Sequence, residues 1–212
     1  MYFYYGNVHT KIVIMDDIKI ICCALAVTAG TGHKIRGRNT IIFIYNCFGG
    51  THSSSLASAI HLKKLPADRI PTTEEILGTD YFNKLNSKDR GKIIYRGTDE
   101  EGNKVFTIGR GTSKILIPCL KDLITLLHNE FKLTEKIIFS NMSPTVPFSM
   151  SVGGFFSRGL GIDFIGVPLL VLGAKKAYMQ IVDIVNRTKE AAKVSDGPVL
   201  VLTNTHDNVK TK

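Results

Sequence analysis

The chain lacks the cysteine spacings that characterise zinc proteins and disulfide-stapled secreted domains. Its four cysteines are Cys22, Cys23, Cys47 and Cys119, and none of them forms a C-x-x-C pair. A chain of 212 residues can also bury roughly 70% of its unfolded surface, so it needs no crosslinks to be stable. Because disulfide frameworks belong to oxidising compartments, this pattern favours a reducing cytoplasm and argues against a metal site built on cysteine.

Also absent are a basic-then-apolar signal sequence and an apolar run that could span a bilayer. The longest apolar run, residues 20–29, has 10 residues, whereas a transmembrane helix needs about 20. We therefore expect a cytoplasmic protein without a membrane anchor.

Dense blocks of basic residues are missing too, although the chain is basic overall. Its 27 lysines and arginines exceed its 18 acidic residues, which gives a formal net charge of +9, but these charges are spread thinly. A net positive charge favours an anionic partner. In proteins that bind nucleic acid, however, the basic residues are usually clustered in a patch or stripe. We expect an anionic small molecule rather than nucleic acid, and the cofactor and the oligomeric state stay open.

What the chain does contain is a strand, a glycine turn and a helix start in close succession. Residues 41–45 form a short β-branched and aromatic run, as in a buried parallel strand. Gly49 and Gly50 break this run, and the serines that follow can begin a helix. Unpaired backbone N–H groups and about half a positive charge collect at a helix N-terminus, so this turn is a candidate anion site. We call residues 49–54 the central loop.

Strands and helices alternate along the rest of the chain, which indicates an α/β fold. We predict a mostly parallel three-layer sheet of P-loop-like or Rossmann-like type, with an inserted β-hairpin over residues 92–97 and 104–109. The other predicted elements are an amphipathic helix over 119–131, strands over 136–140, 164–172 and 198–202, and a helix over 174–192.

A polar, glycine-rich linker at residues 30–39 separates the first part of the chain from this pattern. We assign residues 1–40 to an N-terminal extension whose structure the sequence does not define. Residues 41–193 form the predicted α/β core domain, and residues 194–212 form a C-terminal strand and a polar tail that we expect to fray.

Several glycine-centred motifs give residues 41–193 a resemblance to a known family. The G-G-T-H-S-S element of the central loop is followed by a helix that carries Ala57, Ala59, Ile60, His61 and Leu62. The other motifs are Gly97-Thr98-Asp99 with Gly102-Asn103, Gly109-Arg110-Gly111, G-G-F-F-S-R at 153–158, Gly161, Gly166 with Pro168-Leu169, and Gly173. With these motifs the chain resembles an uncharacterised bacterial family, a domain of unknown function common in spore-forming bacteria. The resemblance implies no particular reaction.

The central loop departs from the phosphate-binding P-loop at its fixed residues. Aligned on G-x-x-x-x-G-K-[ST] from Asn46 to Ser53, it keeps only the final position, and His52 replaces the lysine. A histidine pKa is about 6.5 in the reference state, and a helix N-terminus lowers it. We expect a neutral His52 that serves as a hydrogen-bonding group or base, or alternatively a satisfied histidine in an ordinary turn. Binding of a phosphate ester is therefore favoured over ATP hydrolysis.

The predicted ligand-binding residues are those of the loop and the polar side chains expected near it. The loop contributes Gly49, Gly50, Thr51, His52, Ser53 and Ser54. The other candidates are Arg96, Arg110, Asn141 and Arg158. Ligands of open parallel sheets bind beyond the carboxyl ends of the strands, so we expect these side chains to converge there. A surface ion pair for Arg158 and an ordinary turn role for Asn141 are the alternatives.

Cys47 and His52 are the candidate catalytic residues. A C-x5-R loop holds a phosphate over a cysteine thiolate, but Ser53 stands where such a loop has arginine. The spacing thus argues against a phosphatase, and Cys47 can instead be a small buried residue at a strand end. A Ser–His–acid hydrolase is not supported either, because no G-x-S-x-G turn is present.

The leading functional hypothesis is a protein that binds a phosphate-bearing small molecule or nucleotide at the central loop. Transferase or hydrolase activity stays open. The alternative is a non-catalytic regulatory or protein-interaction module on the same scaffold.

Overall fold

Five strands of the computed structural model, which describes residues 40–205, form one sheet. The strands are β1 (Ile41–Cys47), β2 (Ile93–Thr98), β3 (Lys104–Gly109), β4 (Lys136–Asn141) and β5 (Val199–Leu202). Their order across the sheet is β2-β3-β1-β4-β5. β1 pairs in parallel with β3 and β4, and β4 with β5, whereas β2 joins the edge antiparallel to β3. The predicted α/β architecture with a mostly parallel sheet is confirmed.

Helices cover both faces of this sheet. They are α1 (Ser53–His61), α2 (Thr73–Gly78), α3 (Leu116–Phe131), α4 (Phe148–Gly154) and α5 (Asp163–Val194). A π-helical turn at Phe155–Gly159 follows α4, and short 3-10 turns lie at Ser87–Asp89 and Ser143–Thr145. A capping box begins α2, because the side chain of Thr72 and that of Glu75 cap each other's backbone N–H groups.

β1 lies at the centre of the sheet because its side chains are apolar on both faces. Phe43, Tyr45 and Cys47 pack in the core that α1 and α5 cover. Ile42 and Ile44 pack in the smaller core under α3, since side chains alternate between the faces of a strand. The chain therefore enters the central loop from the middle of the carboxyl edge of the sheet. Cys47 lies on the face of the sheet that α1 and α5 cover.

The predicted strand at residues 164–172 is wrong, because this segment forms the first part of α5. A short apolar run fits a strand or a buried helix equally well, and packing decides between them. Here glycines let α4 and α5 approach closely: a Cβ on Gly173 would lie 2.7 Å from the backbone N of Met150. Gly173, which follows the predicted strand, is thus a contact between two helices, and it lies inside α5.

Among the described residues, α5 is the one helix that is long and apolar enough to cross a membrane by length and composition. The mean hydropathy of its most apolar 18-residue window is 1.3, and half of that window is buried inside the protein. The core helix of a soluble protein passes the same test, so this observation is weak evidence for a membrane. The structure does not describe residues 1–39 and 206–212. The predictions made for the N-terminal extension and for the end of the polar tail therefore concern residues outside the described part of the chain.

Candidate functional site

The carboxyl edge of the sheet brings the loops after three parallel strands together. The backbone N of Arg110, after β3, donates to the carbonyl of Cys47 at 2.9 Å. The backbone N of Met142, after β4, donates to the carbonyl of Asn46 at 2.7 Å. The loops at 47–54, 110–113 and 141–143 are therefore hydrogen-bonded neighbours, although their predicted role in ligand binding stays a prediction.

Two glycines allow the central loop to lie directly on the end of β3. Gly50 has a φ of +71°, and a Cβ there would lie 2.7 Å from the backbone N of Gly109. A Cβ on Gly109 would in turn lie 2.8 Å from the carbonyl carbon of Gly49. Backbone thus packs on backbone at a distance that no side chain permits. This contact fixes the path of the loop between β1 and α1.

The thiol of Cys47 lies under the loop at the end of β1. Its Sγ accepts a hydrogen bond from the backbone N of Gly50 at 3.1 Å and lies 3.1 Å from Ser54 Oγ. Cys47 is buried, with 4% of its surface exposed. The loop therefore folds back over the sulfur, with the N–H of Gly50 as a donor to it and the hydroxyl of Ser54 in hydrogen-bond contact with it.

The first turn of α1 contains three consecutive buried serines with different surroundings. Ser54 contacts the thiol of Cys47, and Ser55 Oγ accepts a hydrogen bond from Arg96. The hydroxyl of Ser53 is fully buried and has no hydrogen-bond partner among the described residues. Because the helical ladder begins with Leu56 N donating to the carbonyl of His52, the N–H groups of all three serines precede it. A buried hydroxyl without a partner thus lies at the helix N-terminus.

Arg96 extends from β2 to the same loop and is buried, with 7% of its surface exposed. Its guanidinium donates only to neutral oxygens: Thr107 Oγ1, the carbonyls of Asp80 and Gly50, and Ser55 Oγ. It also stacks over the ring of Tyr81, 4.5 Å from the ring centroid. Burial lowers the pKa of Arg96 to about 10, so the group stays charged at neutral pH. No ion pair between described residues includes it.

His52 is packed beside the loop rather than open to it. Its Nε2 lies 3.2 Å from Asn83 Oδ1, and its ring meets the edge of Phe82. Burial lowers the pKa of His52 to about 4, with a smaller contribution from the charge of Arg158. The imidazole is therefore neutral at pH 7, mainly because it is buried.

A hydrogen-bond network that the sequence did not predict continues from His52 towards α5. Asn83 Nδ2 donates to Ser157 Oγ at 2.8 Å, and Ser157 Oγ donates to Asp163. Arg158 forms an ion pair with Asp163 at 3.1 Å. Asn83 lies in an irregular segment with a φ of +54°, a conformation that asparagine tolerates well, and no sequence pattern marks it as a partner of His52.

Three other predicted ligand-binding residues hold the edge of the sheet together. Thr51 Oγ1 donates to the carbonyl of Tyr81 at 2.6 Å and accepts two backbone hydrogen bonds. Asn141 Oδ1 accepts from the backbone N of Ser143. Arg110 Nη2 donates to Ser143 Oγ at 3.0 Å, next to the loop. Arg110 also places a positive charge at the carboxyl edge. Thr51 and Asn141 are uncharged, and their side chains bond to backbone groups of the loops.

A cavity of about 270 Å³ adjoins the loop along α1, and Ser55, Lys64, Asp80 and Arg96 are among its lining residues. A second cavity, of about 320 Å³, lies at the opposite edge of the sheet beside His61 and Asp99. Within residues 40–205, no cluster of three or more His, Cys, Asp or Glu side chains is placed to hold a metal ion.

At this second cavity a buried hydrogen-bond chain connects β1, α1 and the turn between β2 and β3. The hydroxyl of Tyr45 lies 2.7 Å from His61 Nδ1, and His61 Nε2 lies 3.1 Å from Asp99 Oδ2. Burial lowers the pKa of His61 to about 4, so this imidazole is also neutral at pH 7. The side chains of Tyr45, His61 and Asp99 thus provide hydrogen-bond partners for one another.

Comparison with known proteins identifies one family. Its model matches residues 42–190, more than half of the chain, and the family is described as a protein of unknown function (DUF3189). No curated protein and no solved structure matches the chain significantly. The match includes the central loop and Arg96, and it confirms that an uncharacterised family covers the core.

Proposed function

We propose, for a chain that belongs to the DUF3189 family of proteins of unknown function, that a phosphate-bearing small molecule binds with its phosphate group at the central loop. The observation that carries the proposal is the hydroxyl of Ser53, which is buried without a partner at the N-terminus of a nine-residue helix. A buried polar group without a hydrogen bond costs about 1–3 kcal/mol. A phosphate oxygen that accepts from this hydroxyl and from nearby N–H groups removes that cost.

The charges around the loop support an anion. Arg96 is buried and its hydrogen bonds all go to neutral oxygens. A buried charge is expensive unless an opposite charge accompanies it. Arg110 adds a second guanidinium at the carboxyl edge, and the N-terminus of α1 adds a partial positive charge. An anionic ligand compensates all three.

The strand order supports the same location. After β1 the chain forms β2 and β3 on one side of that strand and then β4 and β5 on the other, so the order reverses beside β1. In doubly wound α/β sheets, ligands bind at such a reversal, beyond the carboxyl ends of the strands. The strand order supports the proposal that the fold is of the Rossmann-like or P-loop-like type. The central loop lacks the P-loop lysine, which favours a phosphate ester over a hydrolysed nucleoside triphosphate.

The body of the ligand has space next to the loop. The cavity of about 270 Å³ shares Ser55 and Arg96 with the loop region. Its size suits a small molecule and not a polymer. Lys64 and Asp80 also line it, so polar substituents on the ligand find partners of both charges.

The direct test is thermal stabilisation of the full chain by inorganic phosphate, sugar phosphates and nucleotides, with sulfate as an anion control and the unphosphorylated sugars and nucleosides as body controls. A ligand at about 100 times its Kd stabilises a protein by about 2.7 kcal/mol. We expect a rise in Tm with phosphate esters and none with the unphosphorylated compounds. An equal rise in Tm with the phosphorylated and the unphosphorylated compounds would contradict the proposal.

A second candidate function, a protein-interaction module, is favoured by exposed aromatic residues. Phe148, Phe155 and Phe164 are 83%, 60% and 81% exposed, and they lie on α4, the π-helical turn and α5. Large exposed apolar patches mark interaction sites in many proteins, and these three residues lie on consecutive elements of the chain. Serine substitutions at these three positions that leave phosphate binding unchanged but abolish self-association in sedimentation experiments support this role for one partner, a second copy of the chain.

A further inference from the structure

Cys47 lies in contact with two polar groups of the central loop and α1. Its sulfur accepts the backbone N–H of Gly50 and lies at hydrogen-bond distance from the hydroxyl of Ser54, both at 3.1 Å. It also lies at the end of β1, just before the N-terminus of α1. These contacts hold the sulfur against the loop.

Ser53 occupies the position at which a C-x5-R loop carries its arginine, and that absence argued against thiolate chemistry on phosphate esters. The fold offers a replacement from another strand. Arg96 Nη2 contacts the carbonyl of Gly50 at 3.3 Å and Ser55 Oγ at 2.7 Å. A guanidinium that forms no ion pair with a described carboxylate therefore lies against the same loop, where the hydroxyl of Ser53 is buried without a hydrogen-bond partner among the described residues.

We propose that Cys47 is the nucleophile of a phosphoryl transfer at the central loop, with a phosphate monoester as the substrate and Arg96 as the residue that stabilises the charge on the transferred group. The proposal rests on the phosphate site described above. It assigns a reaction to that site and a catalytic role to Cys47. The other cysteine among the described residues, Cys119, is exposed and has no role in the reaction.

The reaction has two steps. In the first, the thiolate of Cys47 donates an electron pair to phosphorus, the bond between phosphorus and the ester oxygen breaks, and the leaving oxygen takes a proton from water. In the second, water attacks the phosphocysteine, the S–P bond breaks with its electrons on sulfur, and inorganic phosphate leaves as the proton of the water passes to solvent. Net hydrolysis consumes one water.

Charge on the transferred phosphoryl group spreads over its three non-bridging oxygens in the transition state. The N–H groups at the start of α1, the hydroxyl of Ser53 and the guanidinium of Arg96 are the donors at or against this loop. Fixed donors of this type stabilise developing charge without reorganisation. The proton of the thiol passes to solvent before the attack, because the thiolate is the nucleophilic form of cysteine.

The test uses p-nitrophenyl phosphate as the substrate and the full chain as the enzyme. Wild type, Cys47→Ser, Cys119→Ser and Arg96→Lys are compared for turnover and, by intact mass after acid quench, for a phosphoryl group on the protein. We expect Cys47→Ser to lose turnover and labelling, and Cys119→Ser to keep both. Arg96→Lys should lower kcat by about 10²–10³-fold, as loss of one fixed transition-state donor does.

Binding is measured separately, through the Tm shift with inorganic phosphate. Stabilisation of Cys47→Ser by phosphate together with loss of turnover supports the inference. Two results would overturn the role of Cys47 while leaving the binding site in place. One is turnover that survives in Cys47→Ser. The other is a wild type that phosphate stabilises but that neither hydrolyses the ester nor carries a phosphoryl group. Absence of any phosphate effect on the wild type overturns the binding site itself. Circular dichroism of each variant shows whether it is folded.

Discussion

The guanidinium of Arg96 donates a hydrogen bond of 2.7 Å to Ser55 Oγ, which connects the antiparallel edge strand β2 to the first turn of α1. The two residues are 41 positions apart in the chain. Through the carbonyl of Gly50 the same side chain also holds the central loop. A single buried cation thus joins three parts of the carboxyl edge, and it lines the cavity along α1.

Replacing Arg96 should reduce stability and anion binding together. Arg96→Met keeps most of the side-chain volume but removes four hydrogen bonds to buried oxygens, and we expect a loss of about 2–3 kcal/mol in urea denaturation because those acceptors lose their charged donor. Arg69→Ala is the matched control, since Arg69 forms an exposed ion pair with Glu75 and such pairs contribute little. Equal effects of the two substitutions would contradict a special role for Arg96.

Ser53 and Ser58 provide a second matched pair on α1. Ser53→Ala removes a buried hydroxyl that has no partner, so the free protein should be at least as stable as the wild type, while the Tm shift produced by inorganic phosphate should shrink. Ser58→Ala breaks a hydrogen bond of 2.8 Å to the carbonyl of Ser55 and should cost about 1 kcal/mol while the phosphate shift remains. Differential scanning fluorimetry with and without phosphate measures both. A destabilised Ser53→Ala would indicate that the hydroxyl has a structural partner.

The central part of the fold could be predicted from the sequence because its signals are local. The apolar run that forms β1 and the glycines after it determine strand, turn and helix start within one short segment. The amphipathic pattern from residue 119 likewise predicted α3, which begins at Leu116 and ends at Phe131. By contrast, the start of α5 depends on packing against α4, which a window on residues 164–172 does not contain.

The site shows the same division between local and distant determinants. The spacing from Cys47 to Ser54 is local, and it predicted a loop at a helix N-terminus. The contact of Arg96 with Gly50 spans 46 positions, and its geometry depends on β2 joining the sheet beside β3. Whether the hydroxyl of Ser53 finds a partner depends on every element around it, so no pattern in the sequence predicts that it has none.

His52 should make stability depend on pH between about 4 and 6.5. Its pKa is lowered to about 4 by burial, whereas the unfolded chain has the ordinary value of about 6.5. Above this window the imidazole is neutral in both states. Within it the unfolded chain binds a proton that the folded protein does not, so stability falls as the pH falls, by up to about 1.4 kcal/mol per pH unit. Below about pH 4 the loss levels off.

The comparison of wild type with His52→Gln isolates this contribution, because glutamine can still donate to Asn83 Oδ1 but does not titrate. Urea denaturation from pH 4 to pH 8 should give a flatter stability curve for the variant. His61, whose pKa burial also lowers to about 4, titrates in both proteins and cancels in the difference. Parallel curves would mean that His52 is protonated equally in the folded and unfolded states.

The two adjacent glycines of the central loop should respond differently to the same substitution. Gly50→Ala forces an L side chain to a φ of +71° and places its Cβ 2.7 Å from the backbone N of Gly109; the positive φ alone costs about 1–2 kcal/mol. Gly49→Ala meets only Thr51 Cγ2 at 3.5 Å, an ordinary contact, and should stay within about 0.5 kcal/mol of wild type. Because the clash must move the backbone of the loop, Gly50→Ala should weaken phosphate stabilisation in those molecules that remain folded, whereas Gly49→Ala should retain it. Urea denaturation and the phosphate-induced Tm shift measure the two effects, and a Gly50→Ala variant as stable as Gly49→Ala would show that the loop does not lie on the end of β3.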